Sequence, residues 1–431
     1  MFKSLLQYWL RVLSKIILKK YKPDIIGITG SVGKTSTKEA AATVLQSKYN
    51  VRRSPKNYNN EIGVPLTIIG VEKNPRRSIL GWLGVFLKAK KLIFVRDKNY
   101  PEILVLEMGA DKPGDIEYLT NLAPCKVGVL TFISHAHTEF FKTIKKISQE
   151  KKVIISHLRQ DGFAVLNFYN ELVMQNAGTT KAEVITYGFK DGADLRVTDI
   201  NILTDEQTGW PTGLNFKVSY KGSAVPVFLP GMIAKSSISS ALAGLAVGTI
   251  FGVNLVDGAQ ALGKFPGVAG RMRLIPGIKN TLIIDDTYNS SPEAAKAAVE
   301  TLAQTTIKDG AERYAALGDM LELGPETENA HRELGFKVAE LGIDNLITVG
   351  EAAKYIAQAA KEAGIDEHRI TSFSGSAEAG KFLQEKLKEG DVVLAKGSQG
   401  GRMEKLVKEV MAEPLQAANL LSRQSKEWVK Q

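Results

Sequence analysis

Cysteine is almost absent from this chain of 431 residues, and its scarcity excludes several kinds of site. Because Cys125 is the only cysteine, neither an intramolecular disulfide nor a zinc site built on cysteines can form. Apolar residues make up 44% of the chain and charged residues 24%, which excludes a mainly disordered or collagen-like protein. The composition is typical of a globular protein of a reducing compartment, and we expect a cytoplasmic location.

Long uncharged stretches are also scarce. One stretch, residues 236–256, has no charged residue and is long enough to cross a bilayer. Its start is rich in serine and its middle in alanine and glycine, with glycines at positions 244, 248 and 252. Membrane helices can have this glycine spacing, but a buried helix lying close on a sheet explains the small residues more simply. We therefore expect a buried helix here.

Acidic residues are missing from the start of the chain. Residues 1–22 hold six basic residues and no acid, and residues 76–98 hold seven basic residues and one acid. These two segments account for the net charge of +10, because the rest of the chain is close to neutral. The first carries apolar residues at helical spacing around Trp9, and the second is an apolar run around Trp82 followed by lysines.

Two interpretations of these basic segments stay open. A basic helix with tryptophan and phenylalanine can lie on an anionic membrane surface, which would place the protein at the inner face of the membrane. The same helix can instead pack on its own domain and leave its lysines in water. Nucleic-acid binding is the least favoured interpretation, and we expect no nucleic-acid partner.

The strongest chemical signal is the glycine-rich loop GITGSVGKT at residues 27–35, which follows a predicted strand and opens a predicted helix. Such a loop turns successive backbone N–H groups toward phosphate oxygens, and its lysine neutralises the β- and γ-phosphates. Lys34 is that lysine, and the Thr35 hydroxyl can hold Mg²⁺. The spacing departs from the usual P-loop, because Ile28 stands five positions before Gly33. The residues expected to hold ATP are Gly30, Ser31, Gly33, Lys34, Thr35 and Ser36.

The order of predicted elements indicates an α/β protein of two domains. Strands and helices alternate on both sides of a glycine- and proline-containing linker at 263–270, which predicts parallel sheets with covering helices. Among the predicted buried strands are Asp24–Thr29, Ile103–Glu107, Lys126–Phe132, Thr281–Asp286 and Val392–Ala395, and short β segments with turns are predicted between 183 and 229. The fold class is therefore a central P-loop ATPase domain with a parallel sheet, followed by a Rossmann-like α/β domain. The predicted boundaries are 1–22 for a basic amphipathic helix, 23–262 for the central domain, 265–413 for the C-terminal domain and 414–431 for a tail helix.

Motifs beyond the P-loop carry a specific resemblance over residues 24–413. The chain resembles the Mur ligases, and within them the MurF type, which joins D-Ala-D-Ala to a UDP-muramyl tripeptide. The motifs similar to those of that type are GITGSVGKTSTKE (27–39), NYNNEIGVPLT (57–67), LEMGA (106–110), DDTYNSSP (285–292), LGDMLELG (317–324) and KGS (396–398).

The resemblance implies an ATP-dependent, ADP-forming amide ligase of cell-wall peptide assembly. Such enzymes phosphorylate a substrate carboxylate with ATP, and an amine then attacks the acyl phosphate. Because a phosphoryl group must approach a carboxylate, cations have to bridge the two anions. The resemblance implies that Glu107 and His137 ligate Mg²⁺. It also implies that a carbamylated lysine, which falls at Lys151 between Glu150 and Lys152, holds a second Mg²⁺.

Further site residues follow from the same resemblance. Arg271 matches an arginine that reaches the ATP phosphates, and Asp286 matches the acid on the ATP ribose. Lys34, His137, Lys151 and Arg271 are thereby the expected catalytic residues. The expected substrate-binding residues are Asn59, Asn60, Lys396 and Ser398.

The sequence departs from the MurF pattern in ways that concern the substrates. Only 26 residues precede Gly27, so we expect the family's N-terminal UDP-sugar domain to be missing. The acceptor is then either a UDP-muramyl peptide held in another way or a lipid-linked muropeptide, with a dipeptide or amino acid as the amine. The family's His-Asn motif is also replaced, with Ser236, Ser237 and Ser240 near its positions, which leaves the adenine contacts open.

Two other classes of function compete with this one. A P-loop nucleotide-binding module would keep the loop without ligase activity, but the retained Glu107, His137 and Lys151 argue against it. A ligase for another polymer, such as a poly-amino acid or folyl-glutamate, would share the ATP residues. The strings NNEIGVP and DDTYN favour the MurF type over these ligases.

Overall fold

Two β-sheets organise the structure, a computed structural model that describes residues 2–55, 58–76, 78–134, 141, 143–425 and 428. The larger sheet has nine strands in the order β2-β3-β1-β4-β5-β6-β7-β8-β9, parallel from β2 to β7 and antiparallel from β7 to β9. Its strands are β1 (Asp24–Thr29), β2 (Val51–Arg53), β3 (Ile103–Glu107), β4 (Val127–Leu130), β5 (Phe163–Asn167), β6 (Glu183–Gly188), β7 (Leu195–Thr204), β8 (Pro211–Tyr220) and β9 (Ser223–Pro230).

Helices cover this larger sheet, as its continuously apolar central strands require. The strands β1 and β3 are buried along almost their whole length, because parallel strands at the centre of a sheet are covered on both faces. The helices are α1 (Phe2–Tyr21), α2 (Lys34–Gln46), α3 (Gly63–Ile69), α4 (Ile79–Phe94), α5 (Asp115–Leu122), α6 (Ile144–Lys151), α7 (Val153–Ser156), α8 (Glu171–Met174), α9 (Lys235–Ile250) and α10 (Leu255–Leu262).

The uncharged stretch forms the buried helix α9, as the sequence predicts. A Cβ added to Gly244 would lie 2.9 Å from the backbone carbon of Ala40 in α2, so only glycine allows the two helices to approach this closely. Gly248 makes the same kind of approach to the Val44 side chain. Of the helices described here, none is both long enough and apolar enough to cross a membrane.

The N-terminal helix α1 packs on its own chain through one side. Leu6, Leu10, Ser14 and Ile17 form its buried stripe, at the spacing of one helix face. Its C-terminal end is tied to α4, because Lys20 Nζ donates to the Leu92 carbonyl at 2.8 Å. Packing on the same chain is therefore confirmed for α1, while other apolar side chains of the helix stay exposed.

The smaller sheet has six strands in the order β10-β11-β15-β12-β13-β14, all parallel except the edge pair β10-β11. Helices alternate with these strands, and the predicted α/β class is confirmed. The strands are β10 (Arg273–Gly277), β11 (Thr281–Asp286), β12 (Arg313–Gly318), β13 (Asn345–Val349), β14 (Ile370–Phe373) and β15 (Val392–Lys396). The helices are α11 (Pro292–Gln304), α12 (Thr327–Glu340), α13 (Lys354–Glu362), α14 (Ser376–Lys386), α15 (Glu404–Val410) and α16 (Ala417–Leu420).

Two predicted features need correction. The β segments predicted between 183 and 229 are longer than expected, since β7 and β8 have ten residues each and extend the larger sheet. The tail helix predicted for 414–431 is limited, in the described part of the tail, to a 3₁₀ turn at Pro414–Gln416 and to α16. The helix stops because Leu421 is extended and Arg423 has a φ of 56°, which no helix accommodates.

Candidate functional site

The glycine-rich loop lies between β1 and α2, where the carboxyl ends of the parallel strands meet. Gly30 and Gly33 have φ angles of 154° and 86°, so both favour glycine. A Cβ on Gly30 would lie 2.0 Å from Thr131 Oγ1, which shows how closely the loop passes the end of β4. Ser31 fixes the loop on its other side, because its N–H donates to the Phe132 carbonyl at 2.6 Å.

Lys34 curls back over the loop that precedes it. Its Nζ donates to the carbonyl of Gly30 at 2.6 Å and to that of Ser31 at 3.3 Å. Burial lowers the pKa of Lys34, the charge of Arg271 lowers it further, and the carboxylates of Glu107 and Asp111 oppose that shift. The ammonium is thus held where backbone N–H groups and the amino end of α2 favour an anion.

The first residue after Lys34 meets a carboxylate from the neighbouring strand. Thr35 Oγ1 donates to Glu107 Oε2 at 3.0 Å, and Asn59 Nδ2 donates to Glu107 Oε1 at 3.1 Å. Glu107 is 2% exposed at the carboxyl end of β3. A hydroxyl and a carboxylate so placed are oxygen donors of the kind that Mg²⁺ prefers. The structure therefore brings together three of the residues predicted from sequence.

A buried lysine that the sequence analysis did not single out lies beside this pair. Lys38 is fully buried, and its Nζ donates to the Ser54 carbonyl at 2.8 Å and lies 3.7 Å from Glu107 Oε2. It follows Lys34 by four residues, so both side chains project from one face of α2. The spacing of four residues from Lys34 is the sequence signal by which Lys38 could have been assigned to the site. The Lys38 charge offsets the cost of burying Glu107.

Lys151 also faces this region from the last turn of α6. It is 3% exposed, and burial lowers its pKa to about 7, with repulsion from Lys34 contributing to the shift. Its neighbour Glu150 is occupied elsewhere, because the carboxylate accepts the N–H groups of Gly114 and Ile116, both at 2.8 Å. Lys152 is partly exposed. The predicted metal ligand His137 lies outside the described residues.

Arg271 reaches the same region from the linker to the second sheet. Its Nε is buried and has no hydrogen-bond partner among the described residues. Its guanidinium lies 4.3 Å from the centroid of the Tyr288 ring, and its charge acts on Lys34. An arginine with an unpaired buried N–H, next to a lysine of the same charge, fits an anion such as a phosphate.

Tyr288 is a second residue that the sequence analysis did not assign. Its ring contacts two arginines, because the Arg423 guanidinium from the tail also lies 5.1 Å from the ring centroid. Arg423 also donates to the carbonyls of Thr287 and Tyr288. Burial raises the pKa of Tyr288, and the two arginines lower it. Arg423 of the tail thus fixes the loop that carries Tyr288.

A small cavity lies between α2, the start of α9 and the linker. Arg271 and the P-loop residue Ser36 stand at its edge. Ser237 and Ser240, which occupy positions near the family's missing His-Asn motif, also line it. Its other lining residues are Leu229, Met232, Ala241, Phe265 and Val268. The cavity therefore has apolar walls and a few hydroxyl groups, and it lies beside the phosphate loop.

Asp286 and Lys396 form a buried pair at the carboxyl ends of β11 and β15. Lys396 Nζ lies 2.5 Å from Asp286 Oδ2 and donates to the Asn289 carbonyl at 3.0 Å. Ser398 Oγ accepts the N–H of Leu321 at 2.9 Å. The structure therefore brings these three predicted residues to one end of the smaller sheet.

Asp285 anchors the linker next to Arg271. It is fully buried, and its carboxylate accepts the Gly270 N–H at 2.9 Å and the Thr287 hydroxyl at 2.6 Å. Burial raises its pKa to about 6, although these donors lower it. The Asp285 carboxylate thereby fixes Gly270 and Thr287, which precede Arg271 and Tyr288 in the chain. Asp285 is therefore a positioning residue, although it had no predicted role within the DDTYNSSP motif.

The loop that carries the predicted substrate-binding residues Asn59 and Asn60, which we call the substrate-side loop, borders a shallow pocket beside Glu107. Asn60 does not reach Glu107 but caps α3, since its Oδ1 accepts the Gly63 N–H at 2.9 Å. The N-terminal helix touches this loop, because Gln7 Nε2 donates to Glu61 Oε1 at 2.8 Å. The pocket is lined by Asn59, Asn60, Glu61, Gly109, Asp111, Asp115, Tyr118 and Leu119.

Fold and site together define a P-loop enzyme with a second α/β unit, in which an arginine from the linker between the two units lies near the phosphate loop. The Mur ligase middle domain matches residues 28–80 and 86–248, and the Mur ligase, glutamate ligase domain matches residues 270–399. The chain belongs to the Mur ligase family.

Its relatives narrow the comparison to one type of ligase. The chain is 30% identical over 406 residues to the UDP-N-acetylmuramoyl-tripeptide–D-alanyl-D-alanine ligase of Bacillus subtilis, covering 94% of this chain and 80% of that protein. The Escherichia coli ligase of the same name is 27% identical, with 89% and 76% covered. The MurF ligase of Thermotoga maritima, solved in complex with ADP, superposes with a TM-score of 0.76 at 28% identity, covering 94% and 83%. The resemblance found in the sequence is therefore confirmed.

Proposed function

We propose that this chain is an ATP-dependent, ADP-forming ligase of the MurF type. Its substrates would be a muramoyl-tripeptide acceptor, as named for its relatives, and D-Ala-D-Ala. The observation that carries the proposal is the meeting of Lys34, Thr35, Glu107, Lys151 and Arg271 around one phosphate loop. A nucleotide-binding module would not need a second lysine and an arginine there.

The chemistry follows from these charges. A carboxylate oxygen of the acceptor attacks the γ-phosphorus of ATP, which gives an acyl phosphate and ADP. The amine of the dipeptide then attacks the acyl carbon, and phosphate leaves with the formation of the amide. Lys34 and Arg271 stabilise negative charge as it moves onto the phosphate oxygens. Because the two positive charges repel each other, an anion that lies between them lowers the electrostatic energy of both side chains.

When bound, Mg²⁺ would supply positive charge that lowers the cost of bringing a phosphoryl group close to a carboxylate. Thr35 and Glu107 fit the ion as oxygen donors, and we propose that His137 joins them. We further propose that Lys151 becomes carbamylated, since a carbamate forms from a neutral amine and CO₂ and burial lowers the pKa of this lysine. The carbamate would add a carboxylate-like ligand for a second Mg²⁺.

The assignments on the second unit remain part of the proposal. Asp286 would bind the ATP ribose, and Lys396 and Ser398 would contact the substrates that the second unit brings to the loop. Ser237 and Ser240 would face the adenine in place of the family's His-Asn motif, as the cavity lining supports.

A peripheral position at the inner face of the membrane is also proposed. The support is the outer side of α1, where Leu5, Tyr8, Trp9 and Ile16 are each at least 42% exposed. Basic residues flank them and no acid occurs in residues 2–22. Such a helix binds an anionic interface through its apolar side chains and its charge.

An ADP-release assay tests the ligase function. Protein, Mg-ATP and D-Ala-D-Ala are incubated with a UDP-linked or a lipid-linked muramoyl tripeptide, and the product is identified by mass. We expect ADP and phosphate in equal amounts only when the acceptor and the dipeptide are both present. The product should be heavier than the acceptor by the mass of D-Ala-D-Ala less one water. Nucleotide binding without ADP release under any of these conditions would favour a binding module instead.

A further inference from the structure

The exposed apolar side chains of this protein are concentrated on two helices. Ten of the 18 large apolar side chains that are exposed among the described residues lie between residues 5 and 16 or between 79 and 95. They are Leu5, Tyr8, Trp9, Ile16, Ile79, Leu80, Leu83, Leu87, Phe94 and Val95. A monomeric globular protein rarely clusters apolar groups in this way without a partner that covers them.

Helix α4 contributes the larger share of this surface. Its inner side is satisfied, because Trp82, Val85, Ala89 and Leu92 are buried. Its other side leaves Ile79 and Leu80 more than three quarters exposed, with Leu83 and Leu87 over half exposed. Leu80, Leu83 and Leu87 follow at intervals of three and four residues, so they share one face of the helix.

The two helices are neighbours, because their C-terminal ends are bonded to each other. Lys20 Nζ donates to the carbonyls of Leu92 and Ile93 at 2.8 and 2.9 Å, and the Tyr21 hydroxyl donates to the Leu92 carbonyl at 3.0 Å. We call the exposed sides of α1 and α4 the apolar-basic surface.

Charge of one sign accompanies the apolar groups. No acidic residue occurs in residues 2–22 or in residues 79–96. The exposed basic residues are Lys3, Lys15, Lys19, Lys22, Lys88, Lys90, Lys91 and Arg96. Apolar side chains among cations match the boundary of an anionic bilayer, where acyl chains meet charged headgroups. A second copy of the chain would bring the same positive charge and would be repelled.

This surface is joined to the substrate-side loop next to Glu107. On α1, Gln7 is bonded to Glu61, and Lys3 Nζ lies 3.4 Å from Glu61 Oε1. One turn further, the Arg11 guanidinium lies 5.2 Å from the centroid of the Tyr118 ring. Glu61 and Tyr118 both line the pocket beside Glu107. The same helix therefore borders both the apolar-basic surface and the pocket.

We propose that the apolar-basic surface docks on an anionic bilayer and that the adjoining pocket takes a muropeptide acceptor carried on a polyprenyl diphosphate lipid. The lipid-linked acceptor rests on the proposed ligase function, whereas the docking of the surface on a bilayer does not. Docking brings the pocket to the headgroup level, so the peptide of a lipid-linked acceptor reaches Glu107 without leaving the membrane.

Vesicle binding tests the surface without any substrate. The wild type is co-sedimented with vesicles of phosphatidylglycerol and phosphatidylcholine or of phosphatidylcholine alone, at low and high salt. We expect binding only to the anionic vesicles, weakened by salt, and at least ten-fold weaker for the triple variant Leu80→Ser, Leu83→Ser, Leu87→Ser. The matched control Val256→Ser, Leu415→Ser replaces exposed apolar residues elsewhere and should bind as the wild type does.

The acceptor class is tested by ADP release with one tripeptide in two forms, linked to soluble UDP or to polyprenyl diphosphate in anionic vesicles. We expect the triple variant to lose at least ten-fold in kcat/KM on the lipid-linked form only, with unchanged turnover of the UDP-linked form.

Several results would overturn the inference. The first is wild-type protein that stays in the supernatant with anionic vesicles, and the second is a triple variant that binds as the wild type does. A concentration-dependent dimer without vesicle binding, abolished in the triple variant, would assign the surface to a second copy. Turnover of the UDP-linked form alone would reject the lipid-linked acceptor. Absence of ADP with both forms would instead contradict the proposed function, while vesicle binding would still decide the surface.

Discussion

Thr35 and Glu107 are joined by a hydrogen bond of 3.0 Å between Thr35 Oγ1 and Glu107 Oε2, although 72 residues separate them in the chain. The contact exists because β1 and β3 are parallel neighbours, so that the residues following one strand meet the end of the other. A P-loop threonine and a strand-end carboxylate in contact form a ready pair of oxygen donors at the phosphate end of the site. The sheet topology therefore creates the chemistry that neither residue has alone.

Replacing Lys34 tests the phosphate loop. Lys34→Ala removes the cation that stabilises charge on the transferred phosphoryl group, and we expect turnover to fall by roughly 10²-fold or more. The free energy of unfolding should change little, since among the described residues the Lys34 amine donates to carbonyls of the preceding loop alone. ADP release and denaturant unfolding measure the two effects. Lys145→Ala, at an exposed position of α6, is the control and should keep its activity. Near-normal turnover of Lys34→Ala would reject the assignment.

Replacing Lys151 tests the carbamate. Lys151→Ala should be inactive, and a short carboxylic acid in the buffer should restore part of the activity by standing in for the missing carbamate. Lys152→Ala is the matched control, and we expect it to remain active because this side chain is partly exposed. ADP release with and without the added acid is the measurement. A fully active Lys151→Ala variant would show that another residue supplies the ligand.

Some buried strands could be predicted to the residue and others to within two residues, since the predicted strands 126–132 and 392–395 are Val127–Leu130 and Val392–Lys396 in the structure. Asp24–Thr29, Ile103–Glu107 and Thr281–Asp286 were predicted with the bounds that the structure has. A parallel strand that is buried on both faces has a continuous apolar run, and this run shows where the strand lies. The antiparallel strands β7 and β8 have a solvent-facing side, and their mixed composition concealed their length.

Site residues that lie within a sequence motif could be predicted. Site residues whose role depends on contacts with distant segments of the chain could not. The P-loop and Glu107 were found from their motifs. The role of Tyr288 becomes visible only in the structure, where Arg271 from the linker and Arg423 from the tail both contact its ring. No local pattern encodes such a contact, since it depends on how the chain returns after α16. The outer sides of α1 and α4 were suggested by charge, but their junction required the tertiary structure.

Replacing Tyr288 tests its role in positioning Arg271. Tyr288→Ala removes the ring from the guanidinium, a cation–π contact of about 0.5–2 kcal/mol, and we expect KM for ATP to rise by roughly two- to thirty-fold. Tyr288→Phe keeps the ring and should stay close to the wild type. The readout is the separation of KM from kcat in ADP release, because a general loss of folded protein would lower the apparent kcat alone. Equal effects of the two substitutions would assign the role to the hydroxyl.

The last prediction concerns the pH dependence of stability at Asp285. Burial raises the pKa of this carboxyl to about 6 from its ordinary 3.8, so the folded protein binds a proton that the unfolded chain has released. The resulting stabilisation is complete below the ordinary pKa and is lost as the pH rises through about 6. Asp285→Asn cannot titrate, so the free energy of unfolding of the wild type relative to this variant should fall between pH 4 and pH 7.

The size of that fall follows from the shift itself, and it reaches at most about 3 kcal/mol. Denaturant unfolding of the two proteins at each pH is the measurement. The substitution also replaces one carboxylate oxygen, which accepts the Gly270 N–H or the Thr287 hydroxyl, by an NH₂ group. The stability lost with that hydrogen bond does not vary with pH. A difference that is constant from pH 4 to pH 7 would mean that Asp285 keeps an ordinary pKa. The linker next to Arg271 would then be anchored by a carboxylate that is ionised throughout this range.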